Sequence, residues 1–368
     1  MRIGLLAPPV EPVPPPTYGG TERVVATLAD ALVDRGHEVT LFASGDSRTR
    51  ARLVPTVERA IWHDARYVDP MPFWTLAVSR GYAHASELDV MHNHCDHVAY
   101  PVARLSPVPT LTTLHRRLDL PELRDLYREF REQPLVSVSL AQRSPLPDAR
   151  WIASIPHGYP EDLYRPSYAP GRYLAFCGRF SREKGVMTAI DAAVRTGIPL
   201  KIAARQPRAD RVEQDLLDEF HYWEDVVLPR IRGEPLVEYV GELDEAGKQE
   251  LYSGALALLF PIDWPEPFGL VMIEALACGT PVIARPRGSV PEVIREGVTG
   301  FHCETVDDFV RAIRHLDLIE RAACRADFEA RFTADAMAER YERVYEVVTG
   351  ETSRSALFWS RRGDRIPS

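Results

Sequence analysis

The sequence predicts an α/β protein with two Rossmann-like domains, each built on a parallel sheet. Short apolar runs typical of buried parallel strands alternate with amphipathic helical segments along the chain. The length of 368 residues exceeds what one hydrophobic core normally supports. Because the stretch 166–170 is rich in proline and serine, we expect an N-terminal domain over 1–166, a C-terminal domain over 167–348 and a tail over 349–368.

The first segment reads as a strand, a loop, a helix and a second strand. Arg2–Ala7 and Glu38–Ala43 predict the strands, and Glu22–Arg35 predicts the helix from its apolar stripe. Gly19 and Gly20 precede that helix. Backbone without side chains lets a phosphate approach a helix start, although a plain turn is the commoner use of such glycines. No G-x-G-x-x-G is present here, which disfavours a dinucleotide site.

Two later stretches of the first domain carry histidines. Asp89–His97 reads DVMHNHCDH, where three histidines and a cysteine fall within six positions. A zinc site is one interpretation of this run, and a strand that ends at the edge of the sheet is the other. Pro109–His115 predicts a strand whose last residue is His115, at the edge where α/β folds bind ligands. The segment 54–86 has no clear pattern, although it contains the aromatic run Met71–Trp74.

The second domain is predicted to open with the strand Tyr173–Cys177. The loop that follows reads GRFSREKG and carries Arg179 and Lys184 just before a helix over 186–195. Two cations beside a helix N-terminus suit a pyrophosphate, although basic loop residues are usually only solvated. Further strands are predicted over Leu200–Ala203 and Val237–Leu243, and further helices over Glu213–Arg230, Asp244–Ser253, Val290–Glu296, Val306–Leu316 and Ala334–Val348.

The most informative stretch is 257–284, which reads ALLFPIDWPEPFGLVMIEALACGTPVIA. It predicts a strand, a loop broken by prolines, a helix over Leu270–Cys278 that Gly279 ends, and a further strand. Glu266 lies in the loop and Glu274 lies eight positions later on the helix. Because eight positions are a little over two helical turns, both carboxylates can point to one side. The helix start also leaves backbone N–H groups over 268–270 aimed where an anion would sit.

Composition excludes several classes of protein. The net charge of −9, with a basic cluster only near the C-terminus, argues against nucleic acid as the main partner. Five scattered cysteines without a C-x-x-C pair indicate buried thiols in a reducing compartment, so we expect a cytoplasmic protein. The start, MRIGLLAPPV, is typical of a strand, and no run approaches the roughly 18 apolar residues of a membrane span.

The strings PEPFGLVMIEALACGTPVIA and RGSVPEVIREGVTGF resemble the signature of glycosyltransferase family 4, and GRFSREKG resembles its donor-phosphate motif. The resemblance covers essentially residues 1–348. It implies the GT-B fold, in which two Rossmann-like domains face a central cleft and the end of the chain, here 349–368, returns to the N-terminal domain. It further implies retaining transfer of a hexose from a nucleotide-diphospho-sugar to a hydroxyl acceptor. On family frequency the donor is first UDP-glucose and second GDP-mannose.

The resemblance also implies roles for individual residues. Catalytic roles fall to Glu266, His115, Arg179 and Lys184, with Arg179 and Lys184 on the diphosphate and the other two beside the sugar. Substrate-binding roles fall in addition to Gly19, Gly20, Gly241, Glu242, Phe268, Gly269, Leu270 and Glu274, with Glu274 on the ribose hydroxyls. Family members carry a run similar to DVMHNHCDH without a metal, so neither a metal nor a cofactor is expected. His157–Gly158 departs from the Asn-Gly usual in the family, so a contact made by that Asn is not carried over to this chain.

Alternative functions stay open on the sequence. A non-hydrolysing nucleotide-sugar epimerase or a phosphorylase would use the same fold. A nicotinamide oxidoreductase and a non-catalytic nucleotide-sugar sensor are also conceivable, although the first lacks its glycine motif and the second would not need an intact set of charged residues. The C-terminal Phe358, Trp359 and Arg361 would suit a peripheral membrane contact, but packing or disorder is the commoner outcome for such a tail. The acceptor is left undetermined.

Overall fold

The computed structural model describes residues 1–17, 19–61, 69–207 and 214–350. Its contacts divide the chain into two compact units. Of the described residues, the first unit contains those of 1–15, 19–157 and 334–350; the second contains those of 158–333 together with Pro16 and Thr17. The contacts thus place the division at residue 157 rather than 166. They also group the helix that starts at Ala334 with the first unit.

The first unit is built on a seven-stranded sheet in which every neighbouring pair is parallel, in the order β3-β2-β1-β4-β5-β6-β7. Its strands are β1 (Arg2–Leu6), β2 (Glu38–Ser44), β3 (Arg52–Val57), β4 (Val90–Asn93), β5 (Thr110–Thr113), β6 (Leu135–Ser137) and β7 (Trp151–Ser154). The first two strands confirm the sequence prediction. Parallel order brings the carboxyl ends of β1, β4, β5 and β7 to one edge of this sheet.

The α-helices described in the first unit before residue 157 are α1 (Gly20–Asp34), α2 (Met71–Tyr82), α3 (Tyr100–Leu105) and α4 (Leu123–Glu129). The segment 54–86 is therefore more regular than its sequence pattern indicated, since it contains the end of β3 and all of α2. Pro55 within edge strand β3 hid the strand signal. Trp74 and Tyr82 of α2 are buried in a core cluster with Phe42 and Leu6. The aromatic residues of α2 are thus largely core residues; 62–68 lie outside the described part.

The second unit has a six-stranded parallel sheet in the order β10-β9-β8-β11-β12-β13. Its strands are β8 (Tyr173–Cys177), β9 (Leu200–Ala203), β10 (Val237–Gly241), β11 (Ala255–Phe260), β12 (Val282–Ala284) and β13 (Gly300–His302). Its helices are α5 (Val186–Thr196), α6 (Gln214–Tyr222), α7 (Leu228–Arg232), α8 (Glu245–Ser253), α9 (Leu270–Ala277), α10 (Val290–Val293), α11 (Val306–Arg314) and α12 (Arg321–Arg331). Two Rossmann-like sheets are confirmed.

The predicted single helix over Glu213–Arg230 is wrong in its middle. A π-helical turn, Trp223–Val227, separates α6 from α7. Pro229 explains the interruption, because its ring cannot donate the hydrogen bond that a regular α-turn requires. The wide turn directs Trp223 into the core, where its ring stacks on Phe180 at 4.4 Å between centroids.

The last described helix, α13 (Ala334–Thr349), packs on the first unit although it follows the whole second unit in sequence. Tyr345 and Tyr341 are fully buried there. The Tyr345 hydroxyl lies 2.8 Å from His92 Nδ1, and the Tyr341 hydroxyl lies 3.0 Å from Thr113 Oγ1. Glu342 pairs with Arg35 at the end of α1 at 2.6 Å. The tail beyond Gly350 lies outside the described residues. No described helix is long and apolar enough to cross a lipid bilayer.

The two glycines that bound α5 allow a matched stability test. Gly185 and Gly197 both have positive φ, 74° and 70°. A Cβ on Gly185 would lie 2.1 Å from the carbonyl oxygen of Pro261, whereas a Cβ on Gly197 would meet nothing within 4 Å. We expect Gly197→Ala to cost about 1–2 kcal/mol for the left-handed backbone alone, and Gly185→Ala to cost clearly more because the backbone must also shift. Urea unfolding followed by tryptophan fluorescence measures both; equal losses would contradict the packing argument.

Candidate functional site

The loop after β11 is tied to the loop after β8 by a close ion pair. Lys184 Nζ lies 2.6 Å from Glu266 Oε2, and both side chains are about 15% exposed. The same ammonium lies 5.4 Å from the centroid of the Trp264 ring, within the range of a cation–π contact. The backbone N–H of Asp263 donates to the carbonyl of Glu183 at 2.7 Å. The structure therefore brings together two of the predicted site residues, Lys184 and Glu266.

The segment after β12 supports the Glu266 loop from behind. The backbone N–H of Ser289 donates to the Glu266 carbonyl at 3.0 Å, and its hydroxyl donates to the Phe268 carbonyl at 2.7 Å. Gly288, with φ of 56°, lies so close that a Cβ would stand 2.3 Å from the Glu266 carbonyl oxygen. Any side chain at 288 would therefore displace the loop that presents Glu266.

Helix α9 starts directly behind this loop. Gly269, with φ of 77°, is its N-cap and supplies no side-chain hydrogen bond, and Leu270 is its first residue. The first turn of a helix leaves backbone N–H groups without intrahelical partners, and its dipole favours an anion. Phe268 is buried beside it. The start of α9 therefore presents first-turn backbone N–H groups a few positions after Glu266, the partner of Lys184.

Glu274, on α9, is 2% exposed and surrounded by donors. Its Oε1 accepts hydrogen bonds from the Tyr159 hydroxyl at 2.9 Å and from Lys248 Nζ at 3.0 Å, and its Oε2 accepts one from the Tyr252 hydroxyl at 2.9 Å. Burial alone would raise the pKa of Glu274, but the Lys248 charge and these hydrogen bonds outweigh it and hold the pKa below its ordinary value. The carboxylate is thus ionised at neutral pH.

Arg179 does not join the Lys184–Glu266 pair. Its Nη1 lies 2.6 Å from Glu219 Oε1 on α6, and its Nη2 lies 3.9 Å from Glu183. Each of the two predicted phosphate ligands therefore stands beside a carboxylate of its own. An arriving polyphosphate would compete with those carboxylates or share the cations with them.

Gly241 and Glu242 lie at the carboxyl end of β10. Gly241 has φ of 82° and accepts a hydrogen bond from the Ala204 N–H at 2.9 Å. Glu242 pairs with Arg205 at 3.1 Å. A Cβ on Gly241 would meet no atom within 4 Å, so the space beside its backbone is open among the described residues.

In the first unit, His115 follows β5 and contacts two other histidines. His115 Nε2 lies 2.9 Å from His94 Nδ1, and the His115 ring stacks on His157 with centroids 5.2 Å apart and planes 15° apart. Burial, aided by the nearby Arg116 charge, lowers the pKa of His115 to about 3. The His115 imidazole is therefore neutral throughout the physiological range.

The run DVMHNHCDH behaves as the end of an inner strand. Both ring nitrogens of His92 are engaged, by the Tyr345 hydroxyl at 2.8 Å and by Thr113 Oγ1 at 2.8 Å. Among the described residues no group of three or more histidine, cysteine, aspartate and glutamate side chains is arranged to hold a metal ion. Four of the described cysteines are buried and Cys177 is half-buried, all as free thiols.

At the start of α1, Gly19 is the N-cap with φ of 142°, and a Cβ there would lie 2.7 Å from Pro15. Gly20 is the first helical residue. Glu22 follows in the first turn and is 6% exposed. Burial raises the pKa of Glu22 to about 7, the Glu11 carboxylate adds to the rise, and the backbone N–H of Glu22 and the Arg116 charge oppose it.

Comparison with known proteins identifies the family. The model described as Glycosyltransferase Family 4 matches residues 18–154, and the model described as Glycosyl transferases group 1 matches residues 232–329. The chain belongs to the family 4 type of GT-B glycosyltransferases. The two matches fall in the two units found in the structure.

The relatives of this glycosyltransferase match it over nearly their whole length. Glycogen synthase of Mycobacterium tuberculosis is 26% identical over 96% of this chain and 94% of its own. Phosphatidyl-myo-inositol mannosyltransferase of the same organism is 24% identical over 96% and 99%. The structure of Anabaena HepE in complex with UDP-glucose aligns with a TM-score of 0.69 at 19% identity, covering 94% of this chain and 100% of that one. The last likeness supports the GT-B fold alone.

Family membership gives the reaction class. This glycosyltransferase is an enzyme that transfers a hexose from a nucleotide sugar. Membership favours transfer over the nicotinamide oxidoreductase and the non-catalytic sensor that the sequence left open.

Several residues around the site carried no assigned role in the sequence analysis. Gly288 and Ser289 belong to the string RGSVPEVIREGVTGF, so that motif could have indicated that they support Glu266. Lys248 and Glu219 come from helices distant in sequence, and nothing local marks them. Glu22 had a usable signal, since an acidic residue two positions after Gly-Gly is typical of a first helical turn. His94 was noted only as part of a metal hypothesis.

The raised pKa of Glu22 gives a pH-dependent stability test. Because the folded state holds this proton up to about pH 7 while the unfolded chain releases it near 4.5, stability decreases as pH rises between these values. We expect Glu22→Gln to stabilise the protein more at pH 8 than at pH 5, by about 2 kcal/mol. Urea unfolding at both pH values measures the difference, with exposed Glu38→Gln as the matched control. A Glu22→Gln effect independent of pH would contradict the assignment.

Proposed function

We propose that this glycosyltransferase is a retaining, metal-independent enzyme that transfers a hexose from a nucleotide-diphospho-sugar to a hydroxyl acceptor. The observation that carries the proposal is the Lys184–Glu266 pair, 2.6 Å apart, next to the start of α9. It supplies a cation for a diphosphate and a carboxylate for a sugar within one small region. The cytoplasmic location expected from the sequence is part of the proposal and is supported by the free thiols.

UDP-glucose is the first donor we propose and GDP-mannose the second. HepE, which shares the fold, was solved with UDP-glucose bound, and we place UDP-glucose first on that ground. The likeness to a mannosyltransferase supports a mannose donor almost equally well. Since identities of 24–26% separate the glycogen synthase and the mannosyltransferase from this chain, the donor must be decided by binding.

The diphosphate is proposed to lie against Lys184, Arg179 and the backbone N–H groups at Phe268–Leu270. Negative charge gathers on the leaving nucleoside diphosphate as the glycosidic bond breaks, and fixed donors stabilise it most at that moment. Lys184 is already held in place by Glu266, and Arg179 by Glu219. The cations are therefore ordered before the phosphate arrives, which lowers the cost of binding it.

The two glutamates are proposed to act on different parts of the donor. Glu266 would accept hydrogen bonds from the sugar hydroxyls, where His115 is also proposed to contact the sugar. Glu274 would accept one from the ribose. A carboxylate offers about four acceptor positions, and Glu274 uses three for Tyr159, Lys248 and Tyr252. One position on Oε2 is thus left for a ribose hydroxyl.

Attack of the acceptor is proposed to occur on the face from which the nucleoside diphosphate leaves, with the leaving phosphate taking the acceptor proton. Such a path retains the configuration at the reacting carbon and requires neither a second nucleophile nor a metal. Gly19 and Gly20, as well as Gly241 and Glu242, are proposed to complete the substrate contacts, the last two near the base.

A thermal-shift panel tests the proposal. The full chain is mixed with UDP, GDP or ADP, or with the glucose or mannose derivative of each. A ligand that binds only the folded state raises Tm by mass action. We expect UDP and UDP-glucose to raise it most. Incubating the stabilising donor without acceptor then separates transfer from epimerisation. No shift with any nucleotide would overturn the proposal.

The two glutamates give contrasting kinetic expectations. Glu274→Gln should weaken the binding of free nucleoside diphosphate and raise KM for the donor, each by roughly tenfold to a hundredfold. The reason is that ribose is bound in ground and transition states alike. Glu266→Gln keeps an amide oxygen that can accept from Lys184, so nucleoside diphosphate affinity should change little while kcat falls strongly, because the sugar contacts matter most at the transition state. Calorimetry and steady-state kinetics measure the split, with exposed Glu224→Gln as control. A reversed pattern would exchange the two assignments.

Metal independence has its own test. Lys184, Arg179 and the start of α9 supply the positive potential at the diphosphate in this proposal, so activity should be unchanged in excess EDTA. The measurement is product formation in EDTA and after adding Mn²⁺ or Mg²⁺. Activity that EDTA abolishes and Mn²⁺ restores would show that a metal takes the place assigned to the cations.

A further inference from the structure

Four histidines of the first unit form a row of neighbouring rings along the ends of β4, β5 and β7: His92, His94, His115 and His157. The proposed function uses only His115. His94 lies directly beside it, with its Nδ1 2.9 Å from His115 Nε2. We propose that His94 is a positioning residue that fixes the tautomer of His115, so that His115 presents an Nδ1–H donor to an oxygen of the transferred hexose. The inference rests on the proposed function, specifically on the contact between His115 and the hexose.

The first step is that the two imidazoles share a single hydrogen in their contact. Burial lowers the pKa of both His94 and His115 well below the ordinary range, so each ring is neutral and carries one N–H. In one arrangement His94 Nδ1–H donates to His115 Nε2, and the hydrogen of His115 is on Nδ1. In the other, His115 Nε2–H donates to His94, and Nδ1 of His115 is only an acceptor.

The second step is the accounting of buried donors. Among the described residues neither His94 Nε2 nor His115 Nδ1 has a hydrogen-bond partner, and both atoms are buried. The first arrangement leaves an unpaired N–H on His115, a residue that is partly exposed although its Nδ1 atom is buried; the second leaves one on His94, a residue that is only 2% exposed. An unpaired buried N–H is costly. A hexose that packs on the exposed part of His115 can bring an oxygen to its Nδ1–H, whereas His94 is almost fully enclosed, so binding selects the first arrangement.

The third step is what holds His94 in place. Its ring packs on that of His92 with centroids 4.0 Å apart. His92 is fixed in turn by hydrogen bonds to the Tyr345 hydroxyl and to Thr113 Oγ1, which contacts the Tyr341 hydroxyl. Helix α13 thus supports a row of rings that reaches His115, which is the arrangement a positioning role requires.

A stacking contact fixes the plane of the His115 ring. The ring stacks on His157, the residue that replaces the Asn usual at this point of the family sequence. With the plane of the ring fixed in this way, the tautomer is the remaining variable, and only His94 controls it among the described contacts.

Calorimetry tests the inference through the ratio of affinities for UDP-glucose and UDP, or for GDP-mannose and GDP if the thermal-shift panel selects mannose. His115→Ala should lower this ratio by roughly fivefold to tenfold. His94→Leu should lower it by roughly threefold to tenfold and leave affinity for the nucleoside diphosphate unchanged. His94→Asn, whose amide nitrogen takes the place of Nδ1, should restore the ratio to within about twofold of wild type. Exposed His315→Leu is the control.

The double variant and the tautomer itself decide the interpretation. His94→Leu combined with His115→Ala should lose no more than His115→Ala alone, because both changes remove one effect. Imidazole ¹⁵N shifts of the wild-type protein with the bound donor should show the hydrogen of His115 on Nδ1. Hydrogen on Nε2, an unaffected His94→Leu, or additive losses would each overturn the inference while leaving the proposed function intact. If no nucleotide sugar binds, or if His115→Ala leaves the affinity ratio unchanged, the inference and the proposed function are both overturned.

Discussion

The ion pair between Lys184 and Glu266 is the interaction on which the second unit's candidate site depends. It joins two strand-to-helix loops that are 82 positions apart in sequence, at a place where both side chains are only about 15% exposed. Half-buried charges are costly unless they are paired, so each partner keeps the other in place. Gly185 permits the close approach of the first loop to Pro261, and Gly288 with Ser289 supports the second. A side chain at position 185 or 288 would therefore displace the backbone that carries the pair.

A similar principle governs Glu274, with one difference. Its oxygens are bound by a lysine and two tyrosines inside the unit, and the lysine comes from a neighbouring helix rather than a loop. The carboxylate stays ionised although it is almost fully buried. Glu266 thus lies in a surface loop and Glu274 in the interior of the unit. This difference in surroundings is a physical basis for different roles.

Much of the fold could be predicted because its signals are local. Apolar strands such as β8 and β9 and the glycine that ends α9 can be recognised within a few residues. The strand β3 escaped because a proline interrupts an edge strand, and the π-helical turn before Pro229 escaped because an amphipathic pattern continues through it. In the site, Lys184 and Glu266 were predicted from motifs. Lys248, Glu219 and His94 were not, because their contacts join distant parts of the chain and no local pattern records them.

The position of α13 has a consequence for synthesis of the protein. The first unit is interrupted by the whole second unit, and His92 and Thr113 receive their tyrosine partners only when α13 exists. At the usual rates of translation the ribosome needs roughly 10–40 s to make the intervening residues. During that interval the second unit is free to fold while the first lacks a buried helix. A nascent first unit thus exposes an apolar surface that chaperones would recognise, and truncation near residue 334 would make that state permanent.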